Sequence, residues 1–254
     1  MVNATPKPSI LFIHGAWHGK WCYEEHFLSY FQEQGFDTHA IDLPEHGEKF
    51  TSLANQRWQS IANYVQAIAD YVAAMPEPPI IVGHSMGGFV VQKYLEEHPA
   101  KAGVLLASVS PAGVLGITLK MARHHTFRFL QTIWTMNLWP LVSDPQLARA
   151  HFFSPSIPPA DLQKYAQKLN GESFRAFLDM LLLNLPRAKR VSVPMLILGA
   201  ANDTIFTQKE IQVTASMYQT NATIFPNMAH DMMLEPDWQN VADTIITWIH
   251  TTLV

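Results

Sequence analysis

The segment Gly83-His84-Ser85-Met86-Gly87 contains the residues that could carry nucleophilic chemistry. It follows the apolar run Ile80–Val82 and precedes a stretch that we predict to be helical from about Met86 to Glu97. In that context the Gly-x-Ser-x-Gly pattern is typical of a sharp turn that exposes the serine at a helix N-terminus, where the helix dipole favours negative charge. We therefore predict that Ser85 is a nucleophile. The alternative is a glycine-rich turn without chemistry.

A serine nucleophile needs a base to take its proton and an acid to orient that base. In this arrangement the acid and then the histidine follow the serine along the chain. His230 is the predicted base because it lies in a loop after the last predicted strand, whereas His250 falls within the last predicted helix and His151 within the predicted cap. Asp203 ends the preceding predicted strand and is the predicted acid. Asp231, adjacent to His230, is the alternative acid.

The loop His14-Gly-Ala-Trp-His-Gly-Lys-Trp21 follows the first predicted strand and is rich in glycine. A tetrahedral oxyanion needs two preorganised N–H donors. We expect one from Met86, directly after the nucleophile, and the other from Ala16 in this loop. Trp17 and His18 are predicted to line the substrate site, with packing beneath the loop as the alternative for His18.

The candidate residues all follow predicted strands, so they can meet only if these strands end at the same edge of one sheet. Apolar, β-rich runs suited to strands between two helix layers occur at Ile10–Ile13, Thr38–Ile41, Ile80–Val82, Gly103–Ala107, Met195–Leu198 and Thr223–Phe225. Amphipathic helical patterns separate most of them, and the last helix is predicted to begin after Asp237 as its N-cap. The alternation predicts an α/β fold with a doubly wound, mostly parallel sheet.

Strand patterns disappear between residues 111 and about 190, where six of the 14 phenylalanines lie together with Trp134 and Trp139. We predict that residues 111–189 form a helical cap on a core made of residues 1–110 and 190–254. Trp134 and Trp139 are predicted to face Ser85 and to bind the hydrophobic part of a substrate. The alternative is a helical subdomain with its own core.

Composition excludes several classes of protein. The chain has 254 residues, of which 48% are hydrophobic and 15% charged, so we expect a large buried core. A net charge of −4 without a Lys/Arg-rich block disfavours nucleic acid as a partner. No apolar run reaches the ~18 residues of a membrane span, and the first residues lack an apolar signal core, so we expect a cytoplasmic protein.

The single cysteine, Cys22, excludes an internal disulfide and is expected to be a half-buried structural residue. No HExxH motif or paired Cys/His spacing occurs, so neither a metal nor another cofactor is predicted. Composition and motifs do not predict an oligomeric state.

With these residues assigned, the chain resembles the α/β-hydrolase superfamily over residues 9–110 and 190–254. The motifs that carry the resemblance are His14-Gly-Ala-Trp17, Asp42-Leu-Pro-Glu-His-Gly47, Gly83-His-Ser-Met-Gly-Gly88, Gly199-Ala-Ala-Asn-Asp203 and Ala229-His230. The opening loop is also similar to that of plant methylesterases and hydroxynitrile lyases. The resemblance implies a cap inserted after the sixth core strand. One departure is Glu45, where members of the superfamily often have glycine, and we expect it to affect loop shape or substrate entry.

The resemblance implies a serine hydrolase of the esterase or lipase type that cleaves a small or medium-sized hydrophobic ester through an acyl-enzyme intermediate. Thioesterase, carbon–carbon hydrolase, hydroxynitrile lyase and perhydrolase activities with the same triad are alternatives. A receptor-like binding module with slow turnover is a further alternative. Lyase chemistry usually needs a positive group over the site, and Lys20, the candidate in the opening loop, is expected to face solvent.

Overall fold

A computed structural model describes residues 7–253 of the chain. Six strands form one parallel sheet in the order β2-β1-β3-β4-β5-β6. They are β1 (Ile10–Ile13), β2 (Thr38–Ile41), β3 (Ile80–His84), β4 (Ala102–Leu106), β5 (Met195–Ala200) and β6 (Ala222–Phe225). The predicted α/β class with a parallel sheet is confirmed.

Helices cover both faces of this sheet. Those outside the long β4–β5 connection are α1 (Trp21–Glu24), α2 (Phe27–Glu33), α3 (Leu53–Arg57), α4 (Ile61–Ala73), α5 (Met86–Tyr94), α11 (Gln208–Met217) and α12 (Trp238–Thr252). Those within it are α6 (Leu115–His124), α7 (Thr126–Thr135), α8 (Pro145–Phe152), α9 (Pro159–Lys168), α10 (Phe174–Leu178) and a π-helix (Asp179–Leu183). Short 3₁₀ turns occur at Gly47–Lys49, Trp139–Leu141 and Ala188–Arg190.

The central strands are apolar throughout because successive side chains enter two different cores. In β1, Ile10 and Phe12 pack into the core beneath α1, α2 and α12, whereas Leu11 and Ile13 pack into the core beneath α4, α5 and α11. All four side chains are fully buried. This two-residue alternation is the expected consequence of a strand that is covered on both faces.

The connection between β4 and β5 will be called the helical segment (residues 111–189). All of this segment is described, and its regular elements are helices and turns without a strand. The segment follows the fourth of the six described strands, whereas the resemblance implied an insertion after the sixth core strand. Many of its buried side chains are continuous with the α1–α2–α12 core, among them Leu138, Leu141, Val142, Phe152, Phe153, Tyr165 and Leu169.

Three local expectations differ from the structure. Cys22 is fully buried rather than half-buried, and burial raises the pKa of its thiol well above the ordinary value. Helix α5 ends at Tyr94, three residues before the predicted end. Asp237 occupies the N-cap position of α12, but its side chain makes no capping hydrogen bond. Among the described residues, no helix is both long enough and apolar enough to cross a membrane.

Candidate active site

Ser85 lies in a strained turn between β3 and α5. Its φ of +52° is in the left-handed region, which is unfavourable for a residue with a Cβ. The flanking glycines permit this turn, because a Cβ on Gly83 would lie 2.6 Å from the Gly87 carbonyl oxygen and one on Gly87 would lie 2.3 Å from that of His14. The Ser85 N–H donates to the Leu106 carbonyl at 3.0 Å, which fixes the turn against β4. Ser85 is therefore held at the N-terminus of α5.

His230 and Asp203 form a hydrogen-bonded pair at the carboxyl edge of the sheet. The Nδ1–H of His230 donates to Asp203 Oδ2 at 2.8 Å, and each side chain is only 1% exposed. The other Asp203 oxygen accepts the N–H groups of Ile205 and Phe206 at 2.7 and 3.0 Å. Burial lowers the pKa of His230, but the charge and hydrogen bond of Asp203, together with nearby Asp231, raise it above the ordinary value.

Asp231, the alternative acid, is paired with a different histidine. Its Oδ2 accepts from His18 Nε2 at 3.0 Å, while His18 Nδ1 lies 2.7 Å from the Ala16 carbonyl oxygen. Burial raises the pKa of Asp231, but His18 and the other neighbouring histidines lower it below its ordinary value, so the group is a carboxylate. The two ring nitrogens of His18 therefore link the Ala16 carbonyl to Asp231.

His84, His230 and Asp231 place ring nitrogens and a carboxylate oxygen within 4.8 Å of one another, so their spacing could suit a metal ion. Each of the three residues makes at least one hydrogen bond, while His84 Nδ1 and Asp231 Oδ1 have no hydrogen-bond partner among the described residues. His84 Nε2 lies 3.0 Å from the His230 carbonyl oxygen, and burial lowers the pKa of His84 to about 3. A neutral His84 therefore donates to the backbone of the 230–231 loop, and the arrangement fits a hydrogen-bonded support for that loop.

The backbone of the opening loop is held by the helical segment. Trp17 has a φ of +64°, and its N–H donates to Glu172 Oε2 at 3.2 Å. The Trp17 carbonyl accepts from the Asn170 N–H at 3.0 Å. Together with the bond from His18 to the Ala16 carbonyl, these contacts fix the peptide groups on both sides of Trp17.

Glu172 is a buried acidic residue that is paired with His46. His46 Nε2 lies 3.0 Å from Glu172 Oε2, and its Nδ1 lies 3.0 Å from the Pro44 carbonyl oxygen. Burial lowers the pKa of His46, but the Glu172 charge and hydrogen bond raise it above the ordinary value. Oε1 of Glu172 accepts from the Tyr64 hydroxyl at 3.3 Å and the Ser173 N–H at 2.5 Å. The carboxylate thus faces four donors and leaves none of its oxygens without a partner.

A cavity of about 110 Å³ opens at Ser85, and the predicted oxyanion donors Ala16 and Met86 also line it. His230 lies behind the wall, with its ring 5.5 Å from that of Phe206 and 6.1 Å from that of Phe152, both of which line the cavity. The helical segment supplies most of the apolar lining: Val114, Ile117, Met121, Phe129, Leu138, Leu141, Val142, Phe152, Phe177 and Met180. The cavity therefore suits a hydrophobic group beside Ser85.

The predicted substrate-binding residues occupy different positions. Trp17 lines the cavity, whereas His18 is buried behind the loop and does not. Trp134 does not face Ser85 as predicted; its side chain is 89% exposed, because α7 directs Phe129 and Thr132 inward and Trp134 away from them. Trp139 packs partly buried against the α1–α2–α12 core, while its neighbours Leu138 and Leu141 reach the cavity. The placements of His18, Trp134 and Trp139 thus correct the sequence-based expectation.

Two further residues from the sequence lie outside the cavity wall. Lys20 pairs with Glu48 at 2.8 Å and is partly exposed. Glu45 has a φ of +60°, which explains why glycine is common at this position in the superfamily. Its carboxylate accepts from the N–H groups of Thr51 and Ser52 at 2.8 and 3.3 Å, and these bonds hold the strained loop.

Glu172 and the role of His46 were not predicted. Glu172 is 155 residues from Trp17 and lies in a stretch without a motif, so only the folded chain brings the two together. His46 belongs to the Asp42–Gly47 motif, but the motif does not predict that its ring pairs with Glu172.

Comparisons with known proteins identify relatives of this chain. The family model described as "Alpha/beta hydrolase family" matches residues 10–244. Norfluorocurarine synthase 2 of Strychnos sp is 32% identical over 115 residues, which cover 44% of this chain and 42% of that protein. "Probable esterase PIR7A" of Oryza sativa subsp. indica is 32% identical over 116 residues, 43% of each chain. The chain thus matches less than half the length of these curated relatives.

Among solved structures, an extracellular alpha/beta-hydrolase from a Paenibacillus species is similar to this chain with a TM-score of 0.73. The similarity covers 94% of this chain and 98% of that one, at 16% sequence identity. At this identity the comparison supports the fold alone.

Proposed function

We infer that this chain, which belongs to the alpha/beta hydrolase family, hydrolyses a carboxylic ester of a small or medium-sized hydrophobic substrate. The observation that carries the proposal is the position of Ser85, at a strained turn on the N-terminus of α5 and at the wall of an apolar cavity. The hydrogen-bonded His230–Asp203 pair behind that wall supplies a base and its orienting acid.

In the proposed reaction, His230 Nε2 takes the Ser85 hydroxyl proton as Oγ attacks the ester carbonyl carbon. Asp203 fixes the ring through Nδ1 and stabilises the imidazolium that forms, without itself taking the proton. The imidazolium then protonates the leaving alcohol, and an acyl-enzyme remains on Ser85. Water, deprotonated by His230, then attacks the acyl carbon. The bond between the acyl carbon and Ser85 Oγ breaks, the imidazolium returns its proton to Oγ, and the acid is released.

The N–H groups of Met86 and Ala16 are proposed to stabilise the oxyanion. Met86 is the first residue of α5, so its N–H is not used within the helix. Ala16 belongs to the loop that His18 holds through the Ala16 carbonyl and Glu172 holds through the Trp17 N–H. We assign Glu172, His18 and His46 as positioning residues, because preorganised donors are what makes such a site effective.

The helical segment is proposed to act as a cap that selects hydrophobic substrates. Trp17 and the side chains of α6 and α7 that line the cavity would contact the acyl or alcohol group. Burying one methylene there contributes about 0.8 kcal/mol. Neither a metal nor another cofactor takes part in the proposed reaction.

The test combines covalent labelling with turnover of p-nitrophenyl esters. A fluorophosphonate should modify Ser85, and the Ser85→Ala variant should lose both the label and the activity. Ser108→Ala is the matched control, since Ser108 is buried next to the same turn but lies against Gly88 rather than in the cavity wall. Labelling of a different residue, or undiminished turnover by Ser85→Ala, would disprove the assignment. A single stoichiometric burst without turnover would instead support the receptor-like alternative.

A further inference from the structure

Helix α7 exposes an apolar stripe to solvent. Phe127, Leu130 and Trp134 recur at steps of three and four and therefore lie on one face of the helix. Their side chains are 80%, 59% and 89% exposed. On α6, Leu115 and Leu119 are one turn apart and are also exposed. Soluble helices normally bury such a stripe, so this surface is built to contact another apolar phase or partner.

The opposite faces of the same helices form a wall of the active-site cavity. Ile117 and Met121 of α6 line the cavity, as do Phe129 and Thr132 of α7. The two helices therefore separate the cavity from solvent and carry apolar side chains on both sides.

Charge distinguishes these helices from the rest of the chain. Residues 115–135 contain Lys120, Arg123 and Arg128 and no acidic residue, although the chain as a whole has a net charge of −4. All 21 acidic residues consequently lie elsewhere. Exposed aromatic and leucine side chains beside basic residues are the combination found in helices that lie in the interface of an anionic membrane.

We propose that α6 and α7 dock the protein on an anionic phospholipid surface. Phe127, Leu130 and Trp134 insert at the level of the headgroups, while the exposed Arg123 contacts lipid phosphates. The excess of acidic residues in the rest of the chain is repelled by the same surface and orients the two helices toward it. A second copy of the chain is a poorer occupant, because a two-fold contact would bring the basic residues of both copies together.

Docking has a consequence for substrate choice, and this part rests on the proposed ester hydrolysis. The helices that contact lipid also form the cavity wall, so the bound enzyme has its apolar cavity next to the bilayer. The substrate class is then an ester dissolved in lipid rather than in water.

Binding is measured with the Ser85→Ala protein, so that the result does not depend on turnover. The protein is sedimented with vesicles of phosphatidylcholine alone and with vesicles that also contain phosphatidylglycerol. We expect binding to the mixed vesicles and at least tenfold weaker binding of the Leu130→Ser/Trp134→Ser variant. Arg123→Gln should weaken binding about fivefold, the equivalent of roughly 1 kcal/mol for one basic side chain near an anionic surface.

The matched controls are Met217→Ser and Lys189→Gln, which should bind like the parent protein. Met217 is an exposed apolar residue at the C-terminal end of α11, and Lys189 is an exposed cation in the 3₁₀ turn before β5. No binding to mixed vesicles, or equal losses in the controls, would overturn the proposal. So would a dimer in sedimentation velocity that Leu130→Ser/Trp134→Ser dissociates, since a second copy would then cover the stripe.

Activity toward a water-soluble ester distinguishes this proposal from the preceding one. Vesicle binding by a protein that hydrolyses no ester supports docking and contradicts the proposed function. Ester hydrolysis without vesicle binding contradicts docking alone.

Discussion

The carboxyl edge of the sheet and the helical segment contribute different kinds of side chain to one cavity. At the edge, buried polar groups have specific partners: Asp203 holds His230, Asp231 holds His18, and glycines make room for Ser85. In the helical segment, the groups that line the cavity are mostly apolar and contact one another without directional bonds. The edge should therefore determine the rate of the chemical step, whereas the helical segment should determine which substrates are bound.

Glu172 is the exception that joins the two regions. It belongs to the helical segment in sequence, yet its carboxylate bonds Trp17 in the loop of the sheet edge. Substitution of Glu172 should therefore change the rate of the chemical step, as at the edge, rather than the choice of substrate.

The largest effect is expected from Asp203→Asn. The amide oxygen would stay with the Ile205 and Phe206 N–H groups, so the amide NH2 would face His230 Nδ1 and favour the wrong imidazole tautomer. We therefore expect kcat to fall by about 10⁴-fold, as in the serine-protease triad. Asp231→Asn is the matched variant, because Asp231 is equally buried but bonds His18. Its main effect should be a lower melting temperature, since it weakens the buried hydrogen bond between Asp231 and His18. Inactivity of Asp231→Asn combined with near-normal kcat in Asp203→Asn would reverse the assignment of the acid.

Glu172→Gln should lower kcat by about 10–100-fold, less than the full loss of an oxyanion donor. A glutamine amide would place hydrogens against donors that now face the carboxylate, so the Ala16–Trp17 peptide would shift. We expect kcat and kcat/KM to fall together, as they do when an interaction specific to the transition state is lost.

Asp179→Asn is the control for Glu172→Gln. Asp179 is a buried carboxylate of the same segment, but it bonds the Ile61 N–H and Arg175 rather than the loop. Similar kcat values for the two variants at a temperature where both are folded would show that Glu172 has only a structural role.

The sheet and its edge could be predicted because local sequence determines them. Continuous apolar runs identify strands buried on both faces, and the glycines around Ser85 follow from contacts with Gly87 and His14 that any such turn makes. The pairing of Asp203 with His230 was predictable from chain order and strand ends. Glu172, His46 and the partner of Asp231 were not, because their contacts join residues 126 to 213 positions apart.

The orientation of side chains in the helical segment was equally unpredictable. Composition indicated an aromatic-rich helical insertion, but α7 has apolar residues on both faces. Periodicity alone does not say which face meets the cavity, so Phe129 and Trp134 could not be told apart before the fold was known.

The pH dependence tests the edge alone. His230 acts as a base only when neutral, and its pKa lies above the ordinary value because of Asp203. Activity should therefore fall about tenfold per pH unit on the acid side of an apparent pKa above ~6.5. Asp203→Asn should move this limb toward lower pH. The substitution removes the charge that raises the pKa of His230, whereas burial continues to lower that pKa. An acid limb that stays in place would show that a different group titrates.

The acyl-length profile tests the cavity wall. In the parent protein kcat/KM should rise about threefold or more per methylene until the cavity is full, since each buried methylene contributes about 0.8 kcal/mol. Phe129→Ala removes an apolar wall side chain and should reduce kcat/KM for long esters more than for acetate. Equal losses of kcat/KM for all acyl lengths would mean that Phe129 affects the chemical step. That result would contradict the proposal that the helical segment determines only which substrates are bound. A flat profile in the parent protein would end the idea that the cap selects hydrophobic groups.

The smallest effect is expected from Trp134→Ala in solution. Trp134 is 89% exposed, so the melting temperature should hardly change and kcat/KM for water-soluble esters should stay within about twofold at every length. Trp139→Ala is the comparison, because Trp139 packs against the core and its loss should cost about 1–3 kcal/mol of unfolding free energy. Selective loss of long-ester hydrolysis in soluble Trp134→Ala would mean that α7 turns its outer face toward the cavity during turnover. In that case the apolar stripe of α7 would contact substrate rather than lipid. The result would then contradict the docking proposal as well as the expectation that Trp134 has no role in substrate selection.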